Sequence, residues 1–162
     1  YMEVIQNPDF FVSFTDVPFK KDENSVDHYT KQLQAHVLDP LHEKLGIDTS
    51  DEAILQAIEQ HNEVCRLITE IGSYRKLDVP TITGYEFHVI QLASLTCPKD
   101  LILPYLRETA EELKTRQPDA KPAYRCKLVL SGAENDDPNF TKLIESCGAL
   151  VVADRYLSLI HI

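Results

Sequence analysis

Apolar positions along this chain change their period twice, and the changes divide it into three stretches. Residues 10–14, Phe-Phe-Val-Ser-Phe, form a short apolar run between Pro8-Asp9 and Asp16-Val17-Pro18. Such a run predicts a buried strand that Pro18 ends abruptly. From residue 25 the period becomes helical. Ser25 can cap a helix over 26–45 with Tyr29, Leu33, Val37, Leu38, Leu41 and Leu45 at helical spacing and Gly46 as its stop. Pro40, inside that helix, predicts a kink or a split. A longer helix follows to about Tyr74, capped by Thr49 or Ser50, with Asp51 and Glu52 at its positive end. Ile54, Leu55, Ile58, Leu67, Ile68 and Ile71 mark its apolar face. After the break at Asp78-Val79-Pro80, Thr83 and Glu86 form a capping box for a helix over 84–95. Pro98 suits the first turn of a further helix reaching Arg116, with Leu101, Ile102, Tyr105, Leu106 and Leu113 on its apolar face. Residues 117–124, containing Pro118 and Pro122, read as a linker.

Beyond the linker, Lys127-Leu128-Val129-Leu130-Ser131 predicts a buried strand ending at Gly132. Asp137, followed by Pro138, caps a short helix that stops at Gly148, and Ala149-Leu150-Val151-Val152-Ala153 predicts a second buried strand ending at Asp154. Two continuous apolar strands around one helix make a right-handed β-α-β unit, hence a parallel sheet covered on both faces. The fold class is therefore α/β. Residues 1–24 end one α/β domain, 25–124 form a helical connector, and 125–156 begin a second parallel-sheet domain.

Composition narrows the classes. Hydrophobic residues at 43% and charged ones at 26% over 162 residues describe a globular chain. No apolar run approaches the ~20 residues that span a bilayer, so no membrane partner is expected, and four cysteines read as structural thiols of a reducing cytosol imply a cytoplasmic location. A net charge of −10, with 16 basic residues scattered among 26 acidic ones, argues against a nucleic-acid partner. Cys65, Cys97, Cys126 and Cys147 lack C-x-x-C spacing and read as buried structural thiols.

Ligands of open parallel sheets bind beyond the carboxyl ends of the strands. The substrate-binding candidates are therefore Ser131 and Gly132, then Asp154, and more weakly Asp16. The loop after Gly132 carries Glu134, Asp136 and Asp137, which opposes a phosphate at the following helix N-terminus. Glu59, Glu63 and Glu70, with His61 and Arg66 nearby, read as a solvated helix face, and His88 as a structural histidine with satisfied hydrogen bonds.

The order of these motifs resembles a family, the D component of 2-hydroxyacyl-CoA dehydratases, which is shared with benzoyl-CoA reductase subunits. The residues that carry the resemblance are Phe14-Thr15-Asp16-Val17-Pro18-Phe19, the helix from Ala57 to Leu67, and Pro80-Thr81-Ile82-Thr83-Gly84-Tyr85-Glu86. The strand Cys126–Gly132 follows, and then Leu143-Ile144-Glu145 through Gly148 to Val151-Val152-Ala153-Asp154. The resemblance implies flavodoxin-like domains, a second dehydratase subunit, an ATP-driven activator protein and an acyl-CoA substrate. It also implies a [4Fe-4S] cluster held by three cysteines and elimination of water through a ketyl radical anion. None of the four cysteines matches a ligand position of the family, so no metal ligand and no catalytic residue is carried over. A benzoyl-CoA-reductase-type or double-cluster reductase subunit is the alternative enzyme. A non-enzymatic helical interaction module is the alternative outside catalysis, and it leaves the β-α-β unit unexplained.

Leu157-Ser158-Leu159-Ile160-His161-Ile162 resembles one reading frame of a transposase adapter used in DNA library preparation. With Tyr1 in place of an initiator methionine, this reads as a frame cut at both ends, with 157–162 an artefact that is no part of the fold. The expectation is an inactive piece of a longer parent that exposes apolar strand edges at 10–14 and 149–153.

Overall fold

A computed structural model describes residues 12–118 and 124–156. The chain divides into two compact units, residues 1–56 and 57–162. The hexapeptide 157–162 and most of the expected linker lie outside the described residues.

In the first unit, residues 12–18 are irregular, and Val12 and Phe14 are exposed. The strand expected at 10–14 is thus not formed over 12–14, while 10 and 11 lie outside the described residues. A strand needs a ladder partner, and the described sheet joins two other segments. Helix α1 (Glu23–Leu33) starts earlier than expected. Asp22, not Ser25, is its cap, accepting the Ser25 N–H and hydroxyl at 2.8 Å each. These two bonds, the hydroxyl's first, hold the Asp22 carboxyl below its ordinary value. Pro40 has no N–H to offer the His36 carbonyl four residues earlier. The chain absorbs the loss in a π-helical turn, Gln34–Leu38, before helix α2 (Asp39–Leu45) resumes with Pro40 in its first turn. The Ser13 hydroxyl donates to the freed His36 carbonyl. Gly46, at φ +65°, closes α2 as a left-handed cap.

Helix α3 (Asp51–Ser73) begins as expected, with the Ser50 hydroxyl accepting the Ala53 N–H at 3.3 Å. The second unit is built on the remainder of α3, helix α4 (Gly84–Thr96) and helix α5 (Lys99–Thr115). Both halves of the predicted Thr83/Glu86 capping box are present. The core consists of Val64, Ile68 and Ile71 of α3, Ile82, Phe87 of α4, and Leu103, Leu106, Ala110 and Leu113 of α5. Burying each of the larger side chains contributes about 1.5–3 kcal/mol relative to exposure. Two expected faces shift. On α5 the buried stripe is 103/106/110/113, and Leu101 and Tyr105 are exposed. On α3, Val64 is buried while Leu55 and Ile58 are exposed. Each helix carries two overlapping apolar stripes, and packing selects the one that meets its neighbours.

After the linker, strand β1 (Cys126–Gly132), helix α6 (Pro138–Ser146) and strand β2 (Ala149–Tyr156) form the expected parallel β-α-β unit. The register runs from Cys126 opposite Ala149 to Gly132 opposite Tyr156. It shifts between Leu128 and Val129, which leaves Val152 as the extra residue of a bulge. Asp137 caps α6 by accepting the Asn139 N–H at 2.9 Å, and Gly148 follows at φ +90°. The exposure expected at 149–153 is corrected, because Ala149, Leu150 and Val151 are buried. The burial expected of β1 is corrected as well, since Val129 is 67% exposed. Helices cover β2 and leave β1 on the open side.

Helix α4 sits directly on β2. A Cβ at Gly84 would come within 2.6 Å of the Val151 Cβ and 2.8 Å of its carbonyl oxygen. The carboxylate of Glu145, in the last turn of α6, accepts the N–H groups of Gly84 (2.8 Å), Tyr85 (3.1 Å) and Val151 (3.1 Å). One side chain thereby serves two free donors of the α4 N-terminus and one of β2.

Candidate functional site

The turn after β1 leads away from the sheet through Ala133, Glu134 and Asn135 to the Asp137 cap. Its shape depends on a buried histidine. His88 Nε2 lies 3.2 Å from the Asn135 carbonyl and Nδ1 lies 2.9 Å from the Thr141 hydroxyl. A carbonyl only accepts, so Nε2 donates to it, and the Thr141 hydroxyl, which can donate or accept, partners Nδ1. The structural role expected for His88 is therefore met. The ring ties α4 to the loop and to α6 at once. Asn135 Oδ1 in turn accepts the Asp137 N–H at 3.3 Å.

Ser131 and Gly132 come together here, lining a half-open hollow of about 510 Å³. Leu130, Phe140 and Ile144 give it apolar lining, and Ala133, Glu134 and Asn135 complete it. No Cβ contact restricts Gly132 within 4 Å, so its lack of a side chain leaves the mouth open without being forced by packing. Asn135 Nδ2 is buried and has no hydrogen-bond partner among the described residues. Asn135 is not among the residues that the sequence alone singles out. The one available signal was an Asn standing before the Asp-Asp-Pro cap, where a side-chain amide can bond local backbone.

Asp154 stands elsewhere. Its carboxylate meets Arg75 Nη1 at 2.6 Å, with side chains only 9% and 7% exposed. The Arg75 guanidinium lies 3.7 Å from the Phe87 ring centroid, and a Cβ on Gly72 would strike that ring at 2.9 Å. Burial pulls the Arg75 guanidinium below its ordinary value, and the charge and hydrogen bond of Asp154 oppose that pull. Asp154 borders a separate hollow of about 180 Å³ with Gln91, whose Oε1 is also unpartnered among the described residues. Asp154 is thus held in a buried ion pair and does not line the Ser131–Gly132 hollow. Asp16 belongs to the first unit, exposed on irregular backbone.

A third hollow, about 540 Å³, lies at the amino end of β1 between residues 78–83 and Arg116, Arg125 and Lys127. Glu86 and Arg116 pair there at 2.9 Å. Burial works against the Glu86 carboxylate, but the Thr83 N–H, Arg116 and the Thr83 hydroxyl together hold its carboxyl below the ordinary value. The acidic face of α3 is used for helix pairing. Arg107 grips Glu63 through two bonds, 2.7 and 2.8 Å, and Lys114 stands 3.9 Å from Glu70.

The thiols depart from expectation. Cys65 is half-buried, and Cys97, Cys126 and Cys147 are exposed, because they end α4, start the open strand β1 and follow α6. Among the described residues no three His, Cys, Asp or Glu side chains gather as a metal site, and the four thiols stand on separate elements. This donor set does not fit a [4Fe-4S] cluster, which needs converging thiolates.

The class is thus a mixed α/β protein with a cleft beyond the carboxyl end of a parallel strand. The family model described as 2-hydroxyglutaryl-CoA dehydratase, D-component, matches residues 2–160, and the chain belongs to that family. No curated protein matches the chain. The family's description makes its members dehydratase components, with a companion component and an acyl-CoA substrate, and the family is associated with iron–sulfur clusters. Among the described residues no helix is long and apolar enough to cross a membrane.

Proposed function

We propose that this chain is part of a cytoplasmic 2-hydroxyacyl-CoA dehydratase subunit built from flavodoxin-like domains. Residues 1–24 close one such domain, 25–124 connect, and 125–156 open the next. The observation that carries the reading is the family match over residues 2–160. The open side of β1 supports it too, since a parallel pair of strands ordinarily belongs to a larger covered sheet. The parent enzyme eliminates water from a 2-hydroxyacyl-CoA by way of a ketyl radical anion, and the electron comes from an ATP-driven activator protein. A [4Fe-4S] cluster of the parent takes its ligands from outside the described residues.

The contribution of this chain is to binding. Ser131 and Gly132 line the cleft for the acyl-CoA, and His88 and Asp137 hold the loop that shapes it. Asp154 secures the strand end through its ion pair with Arg75, and its claim on substrate is through the separate hollow that it borders. Asp16 has the weaker claim on substrate, from its exposed position in the first unit. The test is anaerobic assembly of the full subunit with its companion and activator, followed by product analysis on a 2-hydroxyacyl-CoA. Conversion to the enoyl-CoA is expected. Turnover of an aromatic thioester in its place would move the parent to the reductase branch.

A further inference from the structure

The lining of the Ser131–Gly132 cleft says which acyl group it suits. Leu130, Phe140 and Ile144 supply an apolar lining, and Phe140 is 51% exposed. Among the described residues no Lys, Arg or His lines the hollow, and the one charged lining residue among them, Glu134, is acidic. Asp136 and Asp137 follow in the same loop, both exposed. A second carboxylate at the far end of an acyl chain would lose its hydration there, gain no counter-ion and face like charge. A neutral hydrocarbon chain would cover this apolar lining at no such cost. The volume, about 510 Å³, lies within the usual range for a small-molecule site.

The polar complement is equally selective. Asn135 Oδ1 is committed to the Asp137 N–H, which orients the amide and leaves Nδ2 as a donor unsatisfied among the described residues. A buried donor without a partner costs free energy, and an oxygen acceptor on the ligand would remove that cost. We propose that this cleft selects an uncharged, apolar 2-hydroxyacyl group over a dicarboxylic one such as 2-hydroxyglutaryl, with the Asn135 amide donating to an oxygen of the acyl group. This rests on the acyl-CoA reading above. His88 is a positioning residue in this arrangement, since it holds the Asn135 backbone and not the ligand.

The experiment is calorimetric titration of the full subunit, assembled with its companion, against two probes: 2-hydroxyhexanoyl-CoA, which is neutral, and 2-hydroxyglutaryl-CoA. The neutral thioester is expected to bind about tenfold tighter or better. Equal or reversed affinities overturn the proposal while leaving the acyl-CoA reading intact. Failure of both probes, and of CoA itself, to bind would overturn the acyl-CoA reading and this proposal with it. Glu134→Arg should narrow the preference by raising affinity for the dicarboxylic probe alone, and an unchanged ratio counts against the charge argument. Asn135→Ser should weaken the neutral probe about five- to fiftyfold. Unaltered binding by that variant removes Asn135 from the site. The comparison of probes on the unmodified protein needs no variant to fold.

Discussion

Strands β1 and β2 are parallel partners with similarly apolar sequences, yet they live in different surroundings. Leu150 and Val151 of β2 are 0% and 1% exposed, whereas Val129 of β1 is 67% exposed. The difference comes from what lies on them. β2 receives the α4 N-terminus at Gly84, the Glu145 carboxylate at Val151 and the Arg75 guanidinium at Asp154. β1 is anchored along one edge by the ladder to β2, and its far end opens into the cleft. One strand therefore carries the structure, and the other carries the candidate site.

The sharpest way to break that contrast is to cut the ion pair under β2. Asp154→Ala should leave the buried Arg75 charge uncompensated and destabilise the folded chain by about 3–5 kcal/mol, measured by denaturant unfolding. Replacing both partners, Arg75→Met with Asp154→Leu, should recover much of that loss, and equal losses in single and double variants would refute the ion-pair account. Next in size, Leu150→Ala should cost about 2–5 kcal/mol, as buried leucines do. Val129→Thr on β1 should stay within about 0.5 kcal/mol, as exposed positions do. Comparable costs would mean that β1 is covered as fully as β2.

Glycines give a smaller version of the same comparison. Gly84→Ala forces a Cβ into Val151 and Glu145 and should cost about 1–3 kcal/mol. Gly132→Ala meets nothing within 4 Å and should be near neutral in stability. The smallest effect is one of pH. Glu86 has a depressed folded-state pKa, so its unfolded form binds the proton more tightly. Its contribution is present above the ordinary glutamate value of 4.5 and is lost as pH falls through the lower folded value. Glu86→Gln should therefore flatten the acid limb of a melting-temperature profile and leave its slope near neutrality unchanged.

What was legible in the chain was local. Thr83 with Glu86, Asp137 with Pro138, and Gly46 all announce helix ends through bonds that close within a few residues. The β-α-β unit was legible for a related reason, because strand-length apolar runs separated by one short helix leave few topologies open. The clustering of Ser131 with Gly132 at a strand end followed from that topology. Asp154, chosen by the same rule, went into an ion pair because Arg75 stands 79 residues away in sequence and nothing local announces it.

The amino-acid sequence by itself determined where most helices start and stop, the parallel pairing and the family. Caps, turns and period are nearest-neighbour physics, and the family is carried by the order of such motifs. Only the tertiary structure decided which of two apolar stripes on α3 and α5 is buried, which strand is covered, and that Glu145 and His88 join three segments each. Those outcomes depend on contacts between residues dozens of positions apart, where burial and hydrogen-bond satisfaction are settled by packing and not by neighbours in the chain.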